Sequence, residues 1–314
     1  MFWPILLIGL GVVFLLANLI PNIWSLVCPL ALIGAGLFML FGSSVIPAGE
    51  TRTDRFTAPV GSATSAQVDI GLSVGEGHVY ALADSDNLID AEVTYVGAMD
   101  FAVSGETEKR VRLRQAAGSF WGWLNPAQWV GGAGRALRWH VGLSPRVPMA
   151  LTVSGGVGRS QLDLRALRVT DLHIGGGAGE TSVVLPAPDA GYTALINGGT
   201  GRLEIEAPDG ASVGMRVTGG AGEVVLRIGE GAAVNAHVSG GVGQVVIEVP
   251  RDAAVRLRAQ TGLGGISVPA HFVRLSGGEQ FGSESGAWET PGFDAAERQI
   301  EIEFSGGVGG LTVR

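Results

Sequence analysis

The sequence predicts an all-β repeat domain, a β-solenoid or roll of about 21 residues per rung, behind an N-terminal hairpin of two transmembrane helices. Three observations predict it. A Gly-Gly-x-Gly motif returns at a nearly fixed period, with copies ending at Gly158, Gly179, Gly201, Gly222, Gly243 and Gly264 and a further copy ending at Gly309. The residues around each copy fall into apolar columns with the two-residue alternation of strands. The first charged side chain of the whole chain is Glu50, and two long apolar runs precede it.

Residues 1–49 hold those runs, Phe2–Leu19 and Trp24–Phe41, separated at Pro21-Asn22. As a helix each would span roughly 27 Å, enough for a hydrocarbon core. Trp3 and Trp24 suit the membrane interface. A cleaved signal peptide would need a basic start and an Ala-x-Ala site, and would leave the second run unexplained. The expectation is therefore a two-pass anchor with the lipid bilayer as a partner. Arg52 and Arg55 follow the second run, whereas the turn at Pro21–Ile23 carries no base. The positive-inside rule then puts the large β domain in the cytoplasm.

Residues 50–117 read as a first β domain, with strands at Ala66–Ile70, Gly77–Ala81, Ala91–Tyr95 and Arg110–Arg114. Within it Val74-Gly75-Glu76-Gly77 looks like a degenerate first copy of the glycine motif. Residues 118–147 read as a connection or cap rich in Trp and Gly, containing Phe120, Trp121, Trp123, Trp129 and Trp139. It is either a plug over the open end of the stack or an interaction surface, formed by Trp121, Trp123 and Trp129, for the membrane interface or a partner.

Residues 148–314 carry the repeats. Five places before each final glycine stand Val153, Ile174, Ile196, Val217, Val238, Ala259 and Phe304; four places after stand Leu162, Val183, Ile205, Leu226, Ile247, Val268 and Val313. The columns seven before (Leu151 to Leu257) and six after (Leu164 to Ala270) are apolar too. Each repeat is thus two short strands joined at a glycine corner, which accepts positive φ and close backbones. One place after the glycine, Arg159, Glu180, Arg202, Glu223 and Gln244 alternate in charge, as neighbours on an exposed ladder would. The stretch 273–295 interrupts the rhythm, as a repeat without the motif or as an inserted loop.

Composition excludes several classes. The chain has 314 residues, a net charge of −8, 51 glycines and a single lysine, Lys109, which disfavours nucleic acid as a partner. Cys28 is the only cysteine, so no internal disulfide forms. A phosphate loop needs a helix after its glycines, and here strands follow. His173 and His237 share a column but lie three rungs apart, about 14 Å, too far for one metal ion. No nucleophile elbow, His-Glu-x-x-His or paired acids stand out. No cofactor, metal site or enzymatic activity is expected.

The pattern Trp3-Pro-Ile-Leu-Leu-Ile-Gly-Leu-Gly, then Asn18-Leu-Ile-Pro, then Cys28-Pro-Leu-Ala-Leu-Ile-Gly-Ala-Gly resembles the transmembrane region of LiaI/LiaF-like bacterial membrane proteins. Residues Ala66–Arg114 resemble the toast-rack N-terminal domain, and the stretch from Trp139 to Leu164 resembles its continuation into adhesin-like or LiaF β repeats. The resemblance implies a non-enzymatic envelope protein of bacteria; LiaF-like members restrain a sensor kinase in the envelope-stress response, although some have two hairpins where this chain has one. It offers no catalytic residues. The leading reading is a membrane-anchored scaffold that binds unidentified membrane or envelope proteins, with a homo-oligomer left open; the alternative is an extracytoplasmic adhesin-like binding module.

Overall fold

The computed structural model describes residues 51–116, 137–187, 191–280 and 282–314. The expected hairpin of residues 1–49 and the residues Trp121, Trp123 and Trp129 lie outside the described residues. Among the described residues no helix is long and apolar enough to cross a membrane.

Strands dominate. In chain order they are β1 (Thr51–Pro59), β2 (Ser65–Gly71), β3 (Val74–Ala81), β4 (Asn87–Val96), β5 (Met99–Ser104), β6 (Glu108–Gln115), β7 (Arg138–Leu143) and β8 (Met149–Ser154). The repeats give β9 (Val157–Asp163), β10 (Val169–Gly175), β11 (Ala178–Val184), β12 (Tyr192–Asn197), β13 (Thr200–Ala207), β14 (Ser212–Thr218), β15 (Ala221–Ile228), β16 (Ala233–Ser239) and β17 (Val242–Glu248). The last are β18 (Ala254–Gln260), β19 (Ile266–Ser267), β20 (Val273–Gln280), β21 (Ser283–Glu289), β22 (Gln299–Ser305) and β23 (Leu311–Val313).

Two sheets face each other across a single core. Sheet one runs β1-β4-β7-β3-β9-β11-β13-β15-β17-β23-β19, and sheet two runs β20-β21-β18-β22-β16-β14-β12-β10-β8-β2-β6-β5. Each repeat gives one strand to sheet two, turns at its glycines, gives the next strand to sheet one, and turns back. Like strands stack in parallel, residue for residue: Ile174 lies beside Val153 and Ile196, and Val183 beside Leu162 and Ile205. This is a solenoid of two-stranded rungs. The core is continuous from Ala58 to Val313, so it runs through the segments 50–117 and 148–314 that the sequence suggested as separate domains.

The four apolar columns are the inner rows of this core. From Leu151 to Ile228 their members are buried. They falter only at the C-terminal end, where Val249 and Val268 are half-buried and Ala270 is exposed. There the chain leaves β19 through a turn closed by the Phe272 amide on the Pro269 carbonyl (3.1 Å), and Phe272 takes the buried place instead.

The order of rungs is the main departure from the sequence reading. The last repeat does not lie at the end of the stack. β22 is held between β16 and β18, and β23 between β17 and β19. The stretch 273–295 is neither a rung nor a plain loop: β20 and β21 form an antiparallel hairpin that extends sheet two beyond β18. The N-terminal end mirrors this. β6 and β7 stack in parallel outside β2 and β3, then β5 and β4 pair antiparallel with them, and β1 closes sheet one.

A second correction concerns Trp139. It is 1% exposed in β7, a strand within the segment 118–147 expected as connection or cap. Trp139, Val141 and Leu143 point inward while Arg138 and His140 point out, a strand alternation. Its indole Nε1 has no hydrogen-bond partner among the described residues.

Candidate functional site

The glycine corner is the feature repeated from the β8–β9 rung to the β18–β19 rung, and its geometry explains each glycine differently. The final glycines have φ between 124° and 143°, a range that L side chains rarely adopt. They also touch the neighbouring rung. A Cβ on Gly222 would stand 1.9 Å from the Gly201 oxygen, and one on Gly309 would stand 1.6 Å from the Gly243 oxygen. A Cβ on Gly264 would in turn stand 2.0 Å from the Gly309 oxygen, which repeats the inserted order of the last rung. The degenerate copy belongs to the same row: Gly75 has φ 117° and lies beside Gly158.

The middle glycine of each motif, such as Gly199, faces the preceding rung as well, with a would-be Cβ 1.8 Å from the Gly177 oxygen. The first glycine faces the following rung instead: Gly176 looks onto Gly199, and Gly219 onto Gly241. The copy ending at Gly264 departs here, because Thr261 takes the first position. Its rung is the last parallel one in the stack, so a side chain fits. The Thr261 hydroxyl donates to the Gly264 carbonyl (2.8 Å) and accepts from the Glu284 amide (2.9 Å).

Between the glycines, the variable motif residue points out of the corner. Val74, Val157, Val242, Val308 and Leu263 are between 44% and 61% exposed. With exposed Ala178, Thr200 and Ala221 they form one row along the stack, tall at both ends and low in the middle. Adjacent members are a strand spacing apart, about 4.8 Å.

The charged row predicted beside this corner is present and longer than expected. Arg138, Glu76, Arg159, Glu180, Arg202, Glu223 and Gln244 follow one another strand by strand. Ion pairs close between Arg159 and Glu180 (3.0 Å), Arg202 and Glu223 (2.8 Å), and Arg138 and Glu76 (3.7 Å). A second ladder on sheet one joins Glu204, Arg227, Glu248 and Arg314. Hydrogen bonds from Arg314 and Arg227 hold the Glu248 carboxyl below its ordinary range, and those from Arg165 and Arg55 do the same for Asp163 and Asp90. Burial pushes the Tyr192 phenol up, and its hydroxyl donates to the Pro186 carbonyl (3.1 Å). Each exposed pair is worth about 0–1 kcal/mol, so these ladders set register more than stability.

The outer face of sheet two is chemically different. Along its middle it shows Thr152, Ser154, Thr193, Asn197, Thr218 and Asn235, a lattice of hydroxyls and amides that also carries Asp171 and Arg216. The histidines divide in an unforeseen way. His173 and His237 stand three strand steps apart, as expected, across Leu195 and Arg216. His78 and His140, distant in sequence, lie side by side on β3 and β7. The local pattern of an outward His followed by an inward Val did not mark that pairing, since Ala236-His237-Val238 shares it.

Residues 47–206 match the family described as the N-terminal domain of toast_rack, DUF2154. The chain belongs to this family. The toast_rack match runs over β1 to β13. No curated protein matches the chain. Two solved structures are similar at low TM-score. A candidate cell adhesion protein from Clostridium sporogenes has TM-score 0.39 and 14% identity, covering 84% of this chain and 99% of its own. A candidate adhesin from Bacteroides fragilis has TM-score 0.35 and 12% identity, covering 85% of this chain and 99% of its own. At those scores neither fixes how this toast_rack chain works.

Proposed function

We propose that this toast_rack chain is a non-enzymatic, cofactor-free scaffold of the LiaI/LiaF-like kind, anchored in the bacterial cell membrane and binding protein partners of the envelope, in the service of stress signalling. One observation carries the binding role. Five large apolar side chains stand exposed along the glycine corner, two at one end of the row and three at the other. An ordered apolar row rimmed by charge is the anatomy of a protein contact. The anchor rests on the uncharged run of residues 1–49.

The test replaces Val242, Leu263 and Val308 together by Ser in the full chain. The melting temperature should change little, because exposed positions contribute within about 0.5 kcal/mol each. Partners cross-linked to the wild-type chain in its native membrane should be lost. Retention of the same partners by the triple variant would exclude this end of the corner row as the binding surface. The second reading, an extracytoplasmic adhesin-like module, draws on the hydroxyl and amide lattice of sheet two, which suits a glycan. A reporter enzyme fused after Arg314 separates the readings, since the scaffold reading puts it in the cytoplasm and the adhesin reading outside.

A further inference from the structure

We propose that His78 and His140 form a two-imidazole site for a divalent transition-metal ion of the Ni2+, Cu2+ or Zn2+ class. The fold makes the pair. β3 and β7 are parallel neighbours in sheet one, and the two histidines are register partners. Their successors Val79 and Val141 are fully buried, so both imidazoles project from the outer face. The ring centroids are 6.0 Å apart and the planes cross at 77°. The His78 ring also lies against Tyr80, with centroids 5.2 Å apart, which limits its freedom.

The distance is close to what chelation requires. An ion about 2.1 Å from each coordinating nitrogen lies about 3.2 Å from each ring centroid. Two such rings at a tetrahedral angle have centroids about 5.2 Å apart. Closing the observed gap takes about 0.8 Å at that angle and about 1.5 Å at the right angle that Ni2+ and Cu2+ prefer, where the centroids stand about 4.5 Å apart, both within reach of side-chain rotation. Imidazole suits this class of ion, and affinity rises from Ni2+ to Cu2+ and falls to Zn2+.

The surroundings favour a cation. Glu92 on β4 is directly opposite His140, and Gln161 on β9 is directly beside His78, so an oxygen-bearing side chain flanks each imidazole. Of the nearby cations, Arg138 is paired with Glu76, Arg165 with Asp163, and Arg55, the β1 partner of Glu92, with Asp90. Among the described residues no group of three His, Cys, Asp or Glu is already gathered for a metal. The site is therefore two protein nitrogens with water completing the shell, and Glu92 is the residue placed to replace one water. The other described histidines have different company: His173 is 3.5 Å from Asp171 and His237 is 3.0 Å from Glu303, while His271 packs on Phe272.

The consequence lies in the fold. An ion bridging β7 to β3 fastens the rung made of β6 and β7, whose two strands are separated by residues 116–137. Binding to the native state alone raises stability by mass action.

The test is calorimetric titration of the tag-free full chain with NiCl2 at pH 7.5. One ion per chain is expected. Either His78→Ala or His140→Ala should weaken binding by about tenfold or more, because the second contact is intramolecular. The double variant should lose little beyond either single one, and a His173→Ala/His237→Ala chain should bind as wild type. Nickel should raise the melting temperature of the wild type and of neither single variant. Should an alanine variant fail to fold, His78→Gln and His140→Gln take its place, since both positions face solvent. Unchanged nickel binding after loss of both residues, or equal and independent losses from every histidine removed, would overturn the site.

Discussion

Gly222→Ala should cost 4 kcal/mol or more, ~4 being the mark of an exceptional single substitution. Two effects add. A β-carbon at φ 140° is strained by about 1–3 kcal/mol. That carbon would also stand 1.9 Å from the Gly201 oxygen, and this neighbour is backbone that cannot rotate away. Relief would require the rungs to part, which breaks ladder bonds such as that from the Ala221 amide to the Gly199 carbonyl (3.0 Å). Gly210 is the internal control. Its φ is 70°, also positive, yet nothing lies within 4 Å of a Cβ there. Gly210→Ala should cost only about 1–2 kcal/mol. Urea unfolding of both variants measures the contrast. Equal losses would mean that the corners are not packed backbone to backbone.

Removing residues 292–314 should disorder far more than the rung it deletes. β22 and β23 lie inside the stack, so their loss strips β16 of one neighbour and β18 of its only parallel one. Ile300, Ile302, Phe304, Leu311 and Val313 leave the core together, each contributing about 1.5–3 kcal/mol by burial. Hydrogen exchange should then show lost protection from β16 through β21, with β10 to β14 still protected. Had the repeats stacked in chain order, the same truncation would trim only an end, and β16 to β18 would keep their protection.

The corner and the core were legible in the sequence because both are local. A glycine that must hold positive φ repeats wherever the corner repeats, and an inward residue such as Leu172 or Ile205 is apolar because of its own place on its own strand. The Arg/Glu row was legible for a similar reason, since its members recur at the rung period. The order of rungs is a choice between distant partners. Ile300-Glu-Ile302-Glu-Phe304 has the same alternation as any other rung strand and would fit beside several. The one mark of that order was Thr261: a side chain in place of the first glycine is tolerated where no parallel rung follows. β1 was missed because an edge strand needs little burial, and its Thr, Arg and Asp side chains lie open. The pairing of His78 with His140 was hidden by the sequence that separates β3 from β7, which gives no period to count.

The winding order can be measured directly with engineered cysteines in a Cys28→Ser background. Ser239 and Ser305 are register partners, their hydroxyl oxygens 3.4 Å apart, whereas Ser239 and Gln260 are separated by the β22 strand. Two strand spacings make about 9.6 Å between Cα atoms, beyond the roughly 6.8 Å that a disulfide spans. Mild oxidation should therefore close Ser239→Cys with Ser305→Cys rapidly and leave Ser239→Cys with Gln260→Cys reduced. The reverse result, a bond to position 260 and none to position 305, would contradict the inserted rung.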